Sequence, residues 1–175
     1  VCNMTKDSGL SIPSYGSYYR TAWDDPSNPS FDAVLETAVE LKTPCIRVWA
    51  GNIGSAKADE AWWEKVVEDS RRIATMAEKV DIVVAFEYHA NTLTDTNDSA
   101  LELIKRIDHS NIKSYWQPPL DQDIPERIRG LTQILPYLAH IHSYHWDDRE
   151  RLPLREGLDE WKEYFAIVEE ANKEC

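Results

Sequence analysis

The feature that most limits the fold of this chain is a regular alternation of short apolar runs with amphipathic segments. Five runs typical of β-strands begin near residues 10, 45, 82, 112 and 138. Segments whose apolar residues repeat with helical spacing follow them, over 31–42, 58–79, 99–107, a stretch that starts at 125, and 159–173. This order predicts a parallel sheet with helical crossovers, built as a single domain over 1–175.

Local signals place the ends of several elements. The segment from Leu10 to Tyr15 is predicted as the first strand, with residues 16–20 as a polar loop after it. Ser30 precedes a run with helical spacing and suits an N-cap. Pro125 suits the first turn of a helix, where its missing N–H is not needed. Spacings of four and seven predict the buried face of the longest helix, which carries Trp62, Val66, Ile73 and Ala77.

Two architectures fit five β/α units. Eight such units make a closed (β/α)8 TIM barrel of about 250 residues, so five units in 175 residues indicate an incomplete barrel. A doubly wound open sheet is the alternative on length alone. No turn after a strand carries Gly-x-Gly-x-x-Gly, and the nearest approach is Gly51 with Gly54. The sequence therefore favours the barrel and leaves the open sheet as its rival.

Composition excludes several classes of protein. The net charge is −12 and the pI is about 4.8, so a nucleic-acid partner, which needs clustered Lys and Arg, is not expected. No apolar run reaches the length of about 20 residues that a membrane span needs. The first residues show no basic segment followed by an apolar one, and Cys2, Cys45 and Cys175 form no disulfide framework. We expect a cytoplasmic protein with reduced thiols, and association of several copies stays open.

The strand that begins at Ile82 carries the strongest indication of chemistry. Its five apolar residues lead directly into Glu87, Tyr88 and His89. Functional side chains of α/β enzymes lie at the carboxyl ends of their strands. A carboxylate buried there costs several kcal/mol unless a cation or hydrogen bonds compensate it. Glu87 is therefore a functional candidate, and the structural alternative is a carboxylate satisfied by backbone N–H groups or by Arg47.

Histidines mark the fifth strand. His140 and His142 alternate along it and point to the same side, while His145 lies just past its end. Neutral imidazole is a common ligand of divalent metals. We predict that His140, one layer deeper, is a core histidine.

The strand ends, taken in order, resemble a known family. Residues 46–51 (Ile-Arg-Val-Trp-Ala-Gly), 86–89 (Phe-Glu-Tyr-His) and 140–146 (His-Ile-His-Ser-Tyr-His-Trp) are similar to strand ends of the sugar phosphate isomerase/epimerase family. That family belongs to the xylose-isomerase-like TIM barrels, which also include apurinic endonucleases. Residues 14–20, 116–119 and 151–161 resemble further strand ends and loops of the same family. The resemblance implies that this chain covers about strands three to seven.

The resemblance also implies a metal site. Glu87, Gln117 and His142 occupy ligand positions for a divalent metal (Mn²⁺, Mg²⁺, Co²⁺ or Zn²⁺), with Glu87 also acting as acid/base and His89 as the second catalytic candidate. The family usually has Asp where this chain has Gln117, and an amide oxygen brings no charge to a hard cation. No strand here corresponds to the eighth, which brings a further Glu. Metal binding by this chain is therefore predicted to be weak.

Further residues near the predicted strand ends are candidates for binding a small carbohydrate. They are Tyr15, Tyr19, Arg47, Trp49, Trp116, His145 and Arg151. Aromatic faces stack on sugar C–H surfaces, but packing in the core is the alternative. For Trp49 and Trp116 neither interpretation is favoured. Arg151 and Arg155 lie in the loop after the fifth predicted strand, and by default their side chains are expected to be solvated.

The family resemblance implies a metal-dependent isomerase or epimerase acting on a sugar or sugar phosphate. A proton next to a carbonyl would be taken and returned through an enediolate. A sugar lyase or dehydratase of the same superfamily is one alternative, because the same enolate can expel a β-substituent. A non-catalytic sugar-binding relict of the barrel is the other. The few histidines and the acidic pI disfavour an apurinic endonuclease.

Overall fold

The structure, a computed structural model, describes residues 2–147 and 150–171. Its centre is one five-stranded parallel sheet whose strands follow the order of the sequence. The strands are β1 (Tyr15–Arg20), β2 (Cys45–Trp49), β3 (Val83–Glu87), β4 (Ile112–Trp116) and β5 (Leu138–Ile141). The predicted parallel sheet is confirmed. Because a doubly wound sheet reverses its strand order at a switch point, the unreversed order favours the barrel.

Helices follow the strands as the alternation predicts. The described α-helices are α1 (Cys2–Asp7), α2 (Phe31–Leu41), α3 (Glu60–Glu78), α4 (Asn97–Ile107), α5 (Ile124–Ile134) and α6 (Leu158–Glu170). After β5 the chain also forms two short strands that pair antiparallel, β6 (His145–Asp147) and β7 (Glu150–Leu152), and β7 contains Arg151, for which the sequence gives a solvated loop as the default. Strands of three residues are too short to leave a recognisable alternation in the sequence.

Two predicted helix starts are confirmed in atomic detail. The Oγ of Ser30 accepts a hydrogen bond from the backbone N–H of Ala33 at 3.3 Å, which makes Ser30 the N-cap of α2. Pro125 lies in the first turn of α5, where its missing N–H leaves no hydrogen bond unmade. Both signals work because the first four N–H groups of a helix have no partner within it.

The predicted first strand is wrong by about five residues. Residues 10–14 form no strand, and the supposed loop 16–20 is part of β1, which pairs with β2 through Tyr15 with Ile46 and Arg20 with Trp49. In β1 only two side chains are buried, and one is a serine whose hydroxyl donates to the carbonyl of Arg47 at 2.7 Å. The polar composition therefore hides a true strand.

The core lies between one face of the sheet and the helices. Alternate residues of each strand point to this face, as the pleat requires. They are buried with the apolar stripes of the helices, among them Ile46, Val48, Val84, Phe86, Ile112, Phe31, Ile73 and Leu103. The other face of the sheet carries polar and aromatic residues, among them Arg47, Trp49, Glu87 and Tyr115.

The buried face of α3 is rotated slightly from its prediction. Val66, Ile73 and Ala77 are buried as expected, but Trp63 is the buried tryptophan and Trp62 is half-buried at the edge. One residue corresponds to 100° around a helix, so Trp62 and Trp63 cannot share one face.

The structure bears on two expectations from composition, the lack of a membrane span and the state of the cysteines. Among residues 2–147 and 150–171, no helix is both long and apolar enough to cross a membrane. Cys45 is a free, buried thiol, and burial raises its pKa to about 11. The side chain of Cys2 and the whole of Cys175 lie outside what the structure describes.

Candidate active site

Five side chains meet where the strands end. Arg20, Trp49 and Glu87 are the last residues of β1, β2 and β3. Gln117 and His142 directly follow β4 and β5. Because all five strands are parallel, their carboxyl ends form one rim, and each strand contributes one of these groups to it.

Glu87 is the buried centre of this rim, with 7% of its surface exposed. Its Oε2 accepts a hydrogen bond from the indole Nε1 of Trp49 at 2.6 Å and lies 2.7 Å from Nη1 of Arg47. Its Oε1 lies 3.3 Å from Nδ1 of His142. Burial alone would raise the pKa of this carboxyl, but the hydrogen bond with His142, the charge of Arg47 and the Trp49 bond outweigh it and lower the pKa. Glu87 is therefore held as a carboxylate.

Gln117 fixes the proton of His142. The Nε2 of Gln117 donates to the carbonyl oxygen of Tyr88 at 2.6 Å, which turns Oε1 of the amide toward His142. That Oε1 lies 2.9 Å from Nδ1 of His142. Because an amide oxygen only accepts, Nδ1 carries the hydrogen in the neutral ring, and Nε2 keeps the lone pair.

His89 has the same ring nitrogen, Nδ1, fixed by an acceptor. Its Nδ1 lies 2.9 Å from the carbonyl oxygen of Ala90, which can only accept, so Nδ1 carries the hydrogen and Nε2 is left as a base. The ring contacts Trp49, with 4.9 Å between ring centroids. The hydroxyl of Thr94 donates to the carbonyl of Glu87, and that of Thr92 to the carbonyl of His89, each at 2.7 Å. The loop after β3 is thus anchored on both sides of the candidate base.

Arg20 is a site residue that the sequence does not predict. Its guanidinium carbon lies 4.4 Å from the ring centroid of Trp49, and its Nη1 donates to the carbonyl of Gly51 at 3.0 Å. Placing residues 16–20 in a loop hid the arginine at the end of a strand. A correct placement of β1 would have set Arg20 at the rim.

Two cavities open beside these groups. One of about 390 Å³ is lined by Glu87, Gln117, Leu120, His142, Ser143, Tyr144, Trp146 and Arg151. The other, of about 440 Å³, has His89, Asn91, Asp95 and Thr96 in its wall and shares Gln117, Leu120 and Tyr144 with the first. A small ligand that spans the shared wall would meet Glu87 on one side and His89 on the other.

Two predicted substrate-binding residues lie on the wrong face of the sheet. Tyr19 is buried toward the helices, and its hydroxyl donates to Oδ2 of Asp69 at 2.6 Å. Trp116 is fully buried and packs edge-on against Tyr164 of α6, with 5.4 Å between centroids. Neighbouring residues of a strand point to opposite faces, so both side chains belong to the core rather than to the rim.

The remaining predicted residues divide into two groups. Arg47 and Trp49 contact Glu87, and Arg151 lines the smaller cavity. Tyr15 starts β1, so it lies at the opposite end of the sheet from the rim. His145 packs against Gly157, where an added Cβ would overlap the imidazole, so that contact accounts for the position of its ring.

Few side-chain atoms at the rim could bind a divalent cation. Glu87 Oε1, Gln117 Oε1 and His142 Nδ1 converge, and oxygen with imidazole nitrogen suits Mg²⁺ or Mn²⁺. Nδ1 would bind a metal only with its hydrogen moved to Nε2, because a nitrogen ligand needs its lone pair. Within the described ranges, no three His, Cys, Asp or Glu residues gather as a metal site. The set holds one carboxylate, and Arg47 already offsets its charge.

The unreversed parallel sheet, with its site at the carboxyl ends of the strands, defines an α/β protein of the TIM-barrel class, in which this chain forms an incomplete barrel. The pattern of one family matches residues 2–174. The chain belongs to the xylose isomerase-like TIM barrel family.

A curated relative and several solved structures resemble the chain. It is 29% identical to a 3-dehydroshikimate dehydratase of Bacillus anthracis over 153 residues, which cover 80% of this chain and 51% of that protein. The chain thus spans about half the length of the curated relative it matches. The crystal structure of the probable 3-DHS dehydratase AsbF of Bacillus anthracis matches with a TM-score of 0.77 at 24% identity, over 97% of this chain and 70% of that one.

Two other structures show the same fold with different names. A xylose isomerase-like TIM barrel protein of Mycobacterium smegmatis, in complex with magnesium, has a TM-score of 0.74 at 18% identity, over 96% of this chain and 65% of that one. The D-psicose 3-epimerase of Clostridium cellulolyticum H10, with D-tagatose, has a TM-score of 0.64 at 20% identity, over 93% of this chain and 62% of that one. At these identities the likeness concerns the fold alone.

Proposed function

We propose that this protein is a dehydratase of a hydroxylated cyclic ketone that carries a carboxylate, with 3-dehydroshikimate as the first substrate to test. The observation that carries the proposal is the pairing at one rim of an ionised, buried Glu87 with a His89 whose Nε2 is free. The 29% identity to a 3-dehydroshikimate dehydratase supports this choice over the isomerase that the sequence alone favours.

The proposed reaction removes one water. Nε2 of His89 takes the proton from the carbon next to the carbonyl, and the electron pair passes into the enolate. The enolate then re-forms the carbonyl as the β-hydroxyl leaves, protonated to water, so that a carbon–carbon double bond remains. For a dihydroxycyclohexenone carboxylate, tautomerisation of that product gives an aromatic dihydroxybenzoate, which makes the elimination favourable.

The other side chains bind and orient the substrate. Arg151 is exposed in the wall of the smaller cavity and would pair with the substrate carboxylate. Glu87, Gln117 and His142 would hold a divalent cation. When bound, such a cation polarises the carbonyl that becomes the enolate. Arg47 and Trp49 keep Glu87 ionised for this role.

The test is direct. The purified protein is incubated with 3-dehydroshikimate, with and without Mn²⁺ or Mg²⁺, and the ultraviolet absorbance of the dihydroxybenzoate is followed. We expect Glu87→Gln and His89→Asn each to lower turnover by about 10²-fold or more, as loss of an acid/base group does. Glu64→Gln, which changes an exposed helix residue, serves as the matched control. Equal turnover in Glu87→Gln and the control would contradict the proposal.

An epimerase remains the second candidate, because the same proton abstraction, followed by return of the proton, exchanges the configuration at that carbon. The fold shared with a D-psicose 3-epimerase supports testing it. Incubation with ketohexoses in D₂O would detect deuterium at the carbon next to the carbonyl. Absence of both exchange and elimination would favour the non-catalytic carbohydrate-binding alternative.

A further inference from the structure

We propose that Arg20 is a positioning residue that holds the indole of Trp49 against Glu87. The proposal rests on the role given to Glu87 in the proposed function and concerns how that carboxylate is kept in place. Arg20 does not line either of the two cavities. It would therefore act on the site through Trp49 rather than by touching a substrate.

Trp49 is the contact shared by the candidate catalytic groups. Its Nε1 donates to Oε2 of Glu87 at 2.6 Å, and its ring centroid lies 4.9 Å from that of His89. The guanidinium carbons of Arg20 and Arg47 lie 4.4 and 4.8 Å from the ring, so Arg20 is the nearer cation. A small rotation of this indole would change the surroundings of Glu87 and His89 together.

Arg20 is itself fixed at both ends. Its backbone N–H donates to Oδ1 of Asn28 at 2.9 Å, and Nδ2 of Asn28 donates to its carbonyl at 3.0 Å. Its Nη1 donates to the carbonyl of Gly51 at 3.0 Å. Gly51 has φ +73°, and an added Cβ would lie 2.8 Å from the ring of Trp62. A glycine conformation thus aims the carbonyl that holds the guanidinium.

The guanidinium of Arg20 restricts the orientation of the Trp49 indole. A planar cation over an aromatic face is attracted by the ring's π-electrons and restricts its tilt. Since Nε1 must stay in line with the carboxylate oxygen, a restricted tilt preserves the short hydrogen bond. Arg47 also contacts the ring, so removal of Arg20 should weaken the hydrogen bond without breaking it.

The experiment uses the indole N–H resonances of the purified protein. Trp49→Phe identifies the Trp49 signal by its disappearance. In Arg20→Met, which keeps a side chain of similar length without the planar cation, we expect the Trp49 N–H to move upfield. Its exchange with solvent deuterium should be about fivefold faster, the change expected from loss of one partly exposed cation–π contact.

A second cation–π pair supplies the matched control. Arg106 lies 4.8 Å from the ring centroid of Trp63, far along the chain, so Arg106→Met should move a different indole signal and leave that of Trp49 in place. An unchanged Trp49 signal in folded Arg20→Met would overturn the proposal, as would an equal shift in Arg106→Met. If Arg20→Met does not fold, Arg20→Lys applies the same criterion, with a smaller shift expected. None of these signals depends on turnover, so failure of the dehydratase assay would leave the result intact.

Discussion

The guanidinium of Arg47 lies 2.7 Å from Oε2 of Glu87, and both side chains are largely buried, at 14% and 10% exposure. The space for this guanidinium comes from Gly16, where an added Cβ would lie 2.8 Å from Nη2 of Arg47. Because both side chains are largely buried, little solvent screens the attraction between their charges. Its two members are therefore expected to depend on each other for stability.

Replacing Arg47 by Met should lower the free energy of unfolding by about 2–4 kcal/mol at neutral pH, because a buried carboxylate loses its cation. Urea unfolding measures this. The exposed pair of Arg106 with Glu60 provides the control, since Arg106→Met should cost less than about 1 kcal/mol.

The same variant should show a defined pH dependence. The folded pKa of Glu87 is lowered from 4.5, so its stabilising contribution is present above that value and is lost as the pH falls through the folded pKa. The loss caused by Arg47→Met should therefore be largest at neutral pH and shrink in acid. An equal loss at both ends of this range would mean that the ion pair is not its cause.

Replacing Gln117 by Asp should strengthen binding of Mn²⁺ by at least about tenfold, or about 1.4 kcal/mol. The variant adds a carboxylate oxygen beside His142 and Glu87, where the native amide brings no charge. Isothermal titration calorimetry measures the affinity. Gln133→Asp adds the same charge at an exposed position of the chain and should leave Mn²⁺ binding unchanged.

The fold could be predicted because β2 to β5 carry strong local signals. The run before Glu87 is apolar without a break, as a strand covered on both faces requires. β1 could not be placed, since its burial depends on partners that only the fold brings. Ser17, for example, is buried because its hydroxyl finds the carbonyl of Arg47, thirty residues away.

Four of the five rim side chains, Trp49, Glu87, Gln117 and His142, are candidates in the sequence, and Arg20 is the one that is missed. Glu87 and His142 directly follow apolar runs, so their place at the rim is visible in the sequence. Trp116 and Gln117 are adjacent, yet one faces the core and the other the rim. A shift of one residue in register exchanges the two faces, and composition alone cannot fix that register.

Tyr19→Phe tests whether Tyr19 belongs to the core and not to the substrate site. It removes a hydroxyl that donates to Asp69 and accepts from Nη2 of Arg72 at 2.9 Å. A hydrogen bond to a charged group is worth about 1.5–3 kcal/mol, so unfolding should become easier by that amount. Turnover and KM should stay at the native values. A raised KM with unchanged stability would return Tyr19 to the substrate site.

The packing of α4 against α5 gives a prediction whose sign opposes helix propensity. Gly130 lies inside α5, where Ala would by itself stabilise the helix by about 1 kcal/mol. An added Cβ would, however, overlap the amide group of Asn97, a buried side chain whose Nδ2 donates to the carbonyl of Glu126 at 3.0 Å. Backbone and amide cannot both keep their positions, so Gly130→Ala should destabilise the protein by about 2 kcal/mol.

A double-mutant cycle separates this clash from any other effect of Gly130→Ala. Asn97→Ala removes the side chain that the new methyl would meet, so Gly130→Ala should be tolerated or stabilising in that background. Thr132→Ala, at an exposed position of the same helix, is the control for propensity alone and should not destabilise. Urea unfolding of the four cycle members gives the coupling. If Gly130→Ala costs as much in the Asn97→Ala background as in the native chain, the overlap with the Asn97 amide is not the cause of the destabilisation.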